Sequence, residues 1–524
     1  MSFLRKKGVP MSLFDGLLRG VPGGAPPLAA QEAWPSAEAL AAMPRFSFDP
    51  KNPGGKAPLG VVGASMKRME LRGGRVGHAA MGGTLLGVED DRHRVLVCGN
   101  RGGKGRSQLL PLLITERQNS IFSLDPKGDH ARETALWRSE ALQQRTHILD
   151  GFRVSGDACA HLRTSFNPLQ RIDPSDTAAL VEQAALIADA LVVPSGHDSH
   201  WDETAKQFLE GVIMYVVTHP DIPRPRTLIE VRHQVMAHAE QGGQLEERMI
   251  RSTAANGAVA AAAVGFFQKE DRERSGTLST LRRHLHFLGY PAMEEVLQGS
   301  DLQLEDLLAE RMTIYACLPA TMLGPCAGFS RLLINMKLSA FERSTHRLAH
   351  QHQTGGHRCI SVLDEVAALG RMDSLAVAAG QIAGLGCTLF PVLQDLNQLK
   401  IYGDRWETFL GNAGTLTFFG NTDLTTLEWL ERRLGTTQVY SVSRRSPSLR
   451  SAVKEGDLGG SYSINNHPLM TMAEIARIFD RDDPLARQLV ILPSVGPVIM
   501  QRALYDQHEA FSPYRTWMKR HVGA

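Results

Sequence analysis

The chain reads RVLVCGNRGGKGRSQLLPLLITERQNSIFSLDPKG from Arg94 to Gly128, and this stretch decides the fold. Its first apolar run, residues 95–98, stops at a glycine and is typical of a buried strand. A glycine-rich loop with a single lysine, Lys104, follows, and the apolar run at 109–114 predicts a helix. A strand, a glycine loop, a lysine and a helix are the parts of a P-loop, which holds phosphate through backbone N–H groups and the helix N-terminus.

The loop departs from the general motif G-x-x-x-x-G-K-[S/T] at two positions. The first glycine falls on Cys98, and the hydroxyl residue that would hold Mg²⁺ falls on Gly105. Taken alone, the loop therefore leaves two interpretations open, a nucleotide site and an ordinary glycine-rich turn between a strand and a helix. In the first interpretation the phosphate-binding residues are Gly99, Asn100, Arg101, Gly102, Gly103, Lys104, Gly105 and Arg106.

Length and composition describe an ordinary globular protein. The chain has 524 residues, enough for two or three domains, with 43% hydrophobic and 21% charged residues. The formal net charge of +2 does not indicate a polyanion partner, so any basic channel would have to be local. The six cysteines form no C-x-x-C pair, which is typical of reduced cytosolic thiols.

Membrane and export signals are not evident in the sequence. The N-terminus lacks the apolar core of a signal peptide. Three uncharged windows, 252–268, 312–330 and 374–394, are interrupted by Gly, Pro, Ser, Thr or Gln, and none is a continuous apolar run of about 20 residues. We therefore expect a soluble, cytoplasmic protein.

The spacing of apolar residues along the chain predicts an α/β domain that is split by a helical insertion. Residues 1–58 are rich in Pro, Gly and Ala and predict a flexible arm, and 59–170 contain the first strands. Apolar residues then recur at helical spacing over 171–290, which predicts an all-α insertion domain. Strands alternate with helices again over 291–505, as in a mainly parallel sheet, and 506–524 form a C-terminal tail.

A second motif supports the nucleotide interpretation. The apolar strand at 359–363 ends in Asp364 and Glu365, the Walker B pattern, in which the aspartate holds Mg²⁺ and the glutamate polarises the attacking water. The alternative is a strand that reaches the surface and ends in two solvated acids, but the P-loop makes this less favourable. Gln394 ends a further strand and is placed to sense the γ-phosphate or its attacking water. The segment 125–129, DPKGD, follows another strand, either at the same ligand-facing edge or as a turn with a chance salt bridge.

Several of these segments together resemble one family. The block 363–435, the P-loop, and the shorter segments 125–129, 165–169 (SFNPL) and 315–323 (YACLPATML) are similar to the TraG/TraD-type coupling proteins of type IV secretion. These are conjugative DNA-pumping ATPases related to the FtsK and HerA motors. Members commonly carry glycine after the P-loop lysine, as here, and the likeness covers about residues 82–505.

The resemblance implies a RecA-like P-loop fold in which the insertion at 171–290 is the family's all-α domain. It also implies ATP and Mg²⁺ as cofactors, a homo-hexamer, and delivery of DNA or relaxase–DNA to a type IV secretion channel. The implied catalytic residues are Lys104, Glu365, Gln394 as the strand-tip sensor, and Arg371, which would act on the neighbouring subunit's nucleotide. Asp364 would be the metal ligand.

One departure bears on location and function. Members of this family carry N-terminal transmembrane helices, whereas this sequence shows none, so contact with the inner membrane would have to come through partners such as type IV secretion components. Two other functions therefore stay open: a soluble HerA-like DNA-processing motor, and a nucleotide-binding adaptor of the same fold with little ATPase activity.

Two further segments have both a functional and a plain interpretation. His346, His350, His352 and His357 form either a zinc site or, since no acid or cysteine of suitable spacing joins them, an exposed loop. The segment 441–456, SVSRRSPSLRSAVKEG, is either a DNA-contacting loop or a solvated surface loop without an aromatic residue to stack on bases.

Overall fold

A computed structural model describes residues 36–71, 75–193, 199–241, 243–350, 357–444 and 460–523. Its centre is an eleven-stranded sheet in the order β4-β1-β15-β14-β11-β5-β10-β9-β6-β8-β7. The strands of this sheet are β1 (Ala57–Val62), β4 (Thr84–Val88), β5 (His93–Cys98), β6 (Ser120–Asp125), β7 (Arg145–Leu149), β8 (Met312–Cys317), β9 (Cys359–Leu363), β10 (Cys387–Leu393), β11 (Ala413–Phe419), β14 (Arg487–Leu492) and β15 (Gly496–Gln501).

The sheet has a parallel part and an antiparallel edge. From β11 to β7 every neighbouring pair is parallel, and β14, β15, β1 and β4 extend the sheet in antiparallel pairs. β10 lies between β5 and β9, with Val392 opposite Leu96 and Phe390 opposite Val362. The mainly parallel α/β fold expected from the sequence is confirmed, whereas the antiparallel edge was not foreseen.

Helices cover both faces of the sheet, because its parallel strands are apolar on both sides. All residues of β5, β9 and β10 are buried. The α-helices are α1 (Ala37–Ala41), α2 (Leu110–Thr115), α3 (Asp129–Leu136), α4 (Thr177–Leu191), α5 (Ser199–Thr218), α6 (Leu228–Gln241), α7 (Gln244–Ile250), α8 (Ala258–Phe267), α9 (Asp271–Leu285), α10 (Pro291–Leu297), α11 (Asp306–Ala309), α12 (Ala327–His350), α13 (Asp373–Gln381), α14 (Thr408–Gly411), α15 (Leu424–Leu434), α16 (Met472–Ile478) and α17 (Ser512–His521).

The segment between β7 and β8 contains helices and no strand in its described residues. Its first α-helix, α4, begins where the Asp176 carboxylate accepts a hydrogen bond from the Ala179 N–H at 3.0 Å and caps the helix. Its buried residues belong to the same hydrophobic cluster as one face of the sheet, for example Leu180 with Val95 and Phe122. The insertion domain at 171–290 stays a prediction, and helices continue beyond residue 290 through α10 and α11 to β8.

The remaining described elements lie at the periphery. β2 (Ser65–Leu71) pairs with β3 (Arg75–Met81), and β12 (Thr436–Arg444) with β13 (Gly460–Pro468), as two separate antiparallel ribbons. In the C-terminal segment, α17 packs on Trp137, whose ring centroid lies 5.6 Å from that of Trp517.

Several sequence predictions fall partly or wholly outside the described residues: most of the arm at 1–58, the side chains of His346, His350 and His352, and positions 445–456 of the basic segment. Across the described ranges no helix combines the length and hydrophobicity that a membrane crossing requires. All six cysteines are buried and unpaired.

Candidate nucleotide site

The motif residues meet at one edge of the sheet because parallel strands end at the same side. The loop after β5 carries Lys104, and β9 is followed by Asp364 and Glu365. β10 lies between β5 and β9 in the sheet and is followed by Gln394. The strand order therefore places the glutamine between the P-loop and the two carboxylates. Sequence spacing alone does not give this order.

The Lys104 ammonium lies between both Walker B carboxylates. Nζ is 2.7 Å from Oδ1 of Asp364 and 2.6 Å from Oε1 of Glu365. Burial alone would lower the pKa of Lys104, but the attraction of Asp364 and the hydrogen bonds to both acids outweigh burial and raise the pKa. The lysine is thus charged and held by the strand-end acids.

Glu365 is held in a strained backbone conformation. Its φ of 59° and ψ of 47° are left-handed, which is uncommon for a residue with a side chain and costs about 1–3 kcal/mol. Its second oxygen, Oε2, accepts a hydrogen bond from Nε2 of Gln394 at 3.0 Å. Gln394 is itself fixed, because its carbonyl accepts from the Asn421 side chain at 3.1 Å and its N–H donates to Gln398 at 2.9 Å.

Asp364 is largely buried, and its two carboxylate oxygens face different side chains. Oδ1 lies 2.7 Å from the Lys104 ammonium. Its other oxygen, Oδ2, is 3.9 Å from Nε2 of the buried His130, which the sequence interpretation missed although it follows DPKGD directly. The His130 Nδ1 atom lies 2.9 Å from the Ser123 hydroxyl.

Asp125 also lies at the end of a strand, β6, but its carboxylate binds the N-terminus of a helix. Its carboxylate accepts a hydrogen bond from the Ala131 N–H at 2.9 Å, inside the first turn of α3. Burial raises the pKa of Asp125, against the influence of His130 and of the hydrogen bonds from the helix. The residue stabilises the start of α3, a role that fits its complete burial.

The P-loop itself is tightly seated. A Cβ on Gly99 would lie 1.8 Å from the carbonyl oxygen of Gly420, so only glycine fits there. Gly103 has a φ of 91°, in the region that favours glycine. The helix after the loop starts with a π-helical segment, Gly105–Leu109, and continues as α2.

The C-terminal strand region supports the loop from outside. The Arg106 guanidinium pairs with Asp506, with Nη2 2.5 Å from Oδ2, and the Tyr505 N–H donates to the Arg106 carbonyl at 3.0 Å. Arg502 donates to the Gly102 carbonyl at 2.9 Å. These residues lie some 400 positions from the loop in sequence, and no motif pointed to them.

Arg371 lies outside this cluster. It is exposed and pairs with Asp373, with Nη2 3.0 Å from Oδ1, and no described contact joins it to Lys104, Asp364, Glu365 or Gln394. A role toward a neighbouring subunit's nucleotide stays a prediction.

Comparison with known proteins gives the family. The profile of the family described as "Type IV secretory system Conjugative DNA transfer" matches residues 62–518. A conjugal transfer protein TraG of Escherichia coli is 26% identical over 405 residues, 74% of this chain and 61% of TraG. VirD4 of Agrobacterium fabrum is 23% identical over 449 residues, 81% of this chain and 60% of VirD4. The chain thus spans about three-fifths of the length of these relatives.

Among solved structures, plasmid coupling protein TrwB in complex with ADP and Mg²⁺ has a TM-score of 0.56 at 15% identity, covering 80% of this chain and 88% of TrwB. TrwB in complex with the ATP analogue ADPNP has a TM-score of 0.55 at 16% identity, with the same coverage. At this identity the likeness concerns the fold, and it agrees with the RecA-like fold expected from the sequence. With the profile match over most of the sequence, the chain belongs to the type IV secretory system conjugative DNA transfer family.

Proposed function

We propose that this chain is the ATPase of a conjugative coupling protein, a homo-hexamer that uses ATP hydrolysis to deliver DNA or relaxase–DNA to a type IV secretion channel. The observation that carries the proposal is the convergence of Lys104, Asp364, Glu365 and Gln394 at one sheet edge, with contacts of 2.6–3.0 Å. An adaptor that only binds nucleotide would not need a carboxylate such as that of Glu365, whose two oxygens are held by Lys104 and Gln394. Membership of the conjugative family favours secretion over DNA processing.

ATP and Mg²⁺ fit the residues present. Asp364 offers a carboxylate oxygen that Lys104 would release on moving to a phosphate, and no described group of three or more acids, histidines or cysteines forms a complete metal site. A cation here would therefore need oxygen ligands from a bound phosphate, which is how Mg²⁺ is commonly held in NTPases. The TrwB complexes with ADPNP and with ADP and Mg²⁺ support the same cofactors.

Each residue has a distinct part in the proposed reaction. Bound Mg²⁺·ATP would supply the phosphoryl group and the cation that withdraws charge from it. Gly99–Arg106 surround the phosphates with backbone N–H groups, and Lys104 leaves the carboxylates to reach the β- and γ-phosphates. This movement frees Oε1 of Glu365 to accept a proton from water, while Gln394 keeps Oε2 in place. Asp364 would hold the cation.

The exposed Arg371 fits a contribution to a neighbouring subunit. Because its only described partner is the equally exposed Asp373, the Arg371 guanidinium can leave Asp373 and contact a neighbouring subunit at small energetic cost. An arginine supplied in trans stabilises charge that develops on the transferred phosphoryl group. Assembly on DNA would then complete each site.

The experiment is ATP turnover by the full chain, alone and with single- or double-stranded DNA. We expect DNA to raise the wild-type rate, and Arg371→Ala to spare ATP affinity but to lose most of the DNA-dependent increase. Asp373→Ala is the matched control, since it frees the same arginine and should keep the increase. No turnover under any DNA condition would contradict the proposal and favour the adaptor.

A further inference from the structure

Arg502 is a buried arginine directly beneath the P-loop. It lies just after β15, and 5% of its surface is exposed. Its guanidinium donates to main-chain carbonyls of two segments, the P-loop and the connection between α16 and β14. The acceptors are Gly102 at 2.9 Å in the first, and Asp480 at 3.5 Å, Arg481 at 3.2 Å and Ala486 at 3.3 Å in the second. It also stacks on Phe419, the last residue of β11, with the guanidinium carbon 4.8 Å from the ring centroid.

The bond to Gly102 determines the direction of the next N–H group. A trans peptide is planar, and its carbonyl and N–H point in opposite directions. Holding the Gly102 carbonyl on Arg502 therefore turns the Gly103 N–H to the side of the loop away from Arg502. Since both residues that flank this peptide are glycines, and Gly103 has a φ of 91°, side chains offer little resistance to rotation of the peptide.

The charge of Arg502 acts in the same direction. A guanidinium that is removed from water and hydrogen-bonded to carbonyls keeps its positive charge next to the loop. The Lys104 charge is already paired with Asp364 and Glu365. A second cation beneath the loop therefore adds to the attraction for phosphate.

We propose that Arg502 is a positioning residue of the phosphate site, which fixes the Gly102–Gly103 peptide so that the Gly103 N–H faces the nucleotide's phosphates. The inference rests on the proposed nucleotide function. It assigns a part of the phosphate site to the C-terminal end of the sheet, where residues 502–506 contact both Gly102 and Arg106.

The test compares ADP and ATP affinities of the full chain with those of Arg502→Gln and Arg502→Lys. Arg226 is the matched control, because in the described contacts it also donates to main-chain carbonyls, those of Val217 and His219, but lies in the helical segment. We expect Arg502→Gln to raise both dissociation constants roughly tenfold or more, and Arg502→Lys, which keeps the charge but not the planar fork, roughly threefold. Arg226→Gln and Arg226→Lys should stay within about twofold of wild type.

Amide hydrogen exchange separates positioning from general stability. We expect faster exchange over residues 99–106 in Arg502→Gln, and no such local change in Arg226→Gln at equal melting temperature. Wild-type affinity in a folded Arg502→Gln overturns the inference alone, and if that variant does not fold, wild-type affinity in Arg502→Lys does so. A wild-type protein that binds neither nucleotide overturns the proposed function, and the inference falls with it.

Discussion

The ion pairs of Lys104 predict that removing the Glu365 carboxylate tightens nucleotide binding. The ammonium contacts Asp364 and Glu365, so its proposed role at a phosphate requires it to leave both. The three side chains are only 12–23% exposed, but they still reach solvent, so one such pair is worth about 1 kcal/mol. Glu365→Gln removes one pair and leaves the other, which should lower the dissociation constant about fivefold.

Comparison of ADP with ATP identifies the cause. In the proposed site Lys104 would contact the β-phosphate, which ADP and ATP share, so freeing the lysine should strengthen the binding of both nucleotides. Relief of repulsion between Glu365 and the γ-phosphate would act on ATP alone. The assay is calorimetric titration of the wild type and Glu365→Gln with ADP and with ATP, without Mg²⁺ and at low salt. Weaker ADP binding by Glu365→Gln would refute the reasoning.

Two further predictions concern the P-loop and its strand. Gly99→Ala places a methyl group 1.8 Å from the Gly420 oxygen and should lower the free energy of unfolding by about 1–3 kcal/mol or more in denaturant titrations. Gly105→Ala is the control, because its methyl group meets nothing within 4 Å, and it should be neutral or stabilising. Equal stabilities would contradict the close approach. Burial, reinforced by Arg358, lowers the pKa of His93, whose Nδ1 accepts a hydrogen bond from the Leu389 N–H at 3.1 Å. The neutral histidine therefore stabilises the fold above pH 6.5, the ordinary pKa. This contribution is lost as the pH falls toward and through the lowered pKa. His93→Asn should flatten this part of the stability–pH profile, and an unchanged slope would count against a buried neutral histidine.

The parallel part of the fold was predictable because each buried strand is a short apolar run with a turn signal at its end. The runs at 95–98, 359–363 and 387–393 all became central strands. β7 was missed, since its sequence, RTHIL, mixes polar and apolar residues. The antiparallel edge was missed because pairing such as that of Val61 with Gln501 joins residues far apart in sequence.

The candidate site could be predicted only as far as local motifs reach. Lys104, Asp364, Glu365 and Gln394 follow strands directly, and the parallel sheet brings such positions together. The support of the loop by Arg502 depends on a strand far away along the chain and on packing between distant segments. The left-handed backbone of Glu365 likewise follows from its surroundings, since nothing in its side chain favours it.

The most direct test of ATP hydrolysis at this site is to measure binding and turnover together for Lys104→Ala and Glu365→Gln. Lys104→Ala should lose both, because it removes a charge-assisted contact to the nucleotide. Glu365→Gln should bind ATP but turn it over more slowly by a factor on the order of 10²–10⁴, the usual contribution of a positioned base. Hydrolysis at the wild-type rate by Glu365→Gln would contradict the assignment of this site.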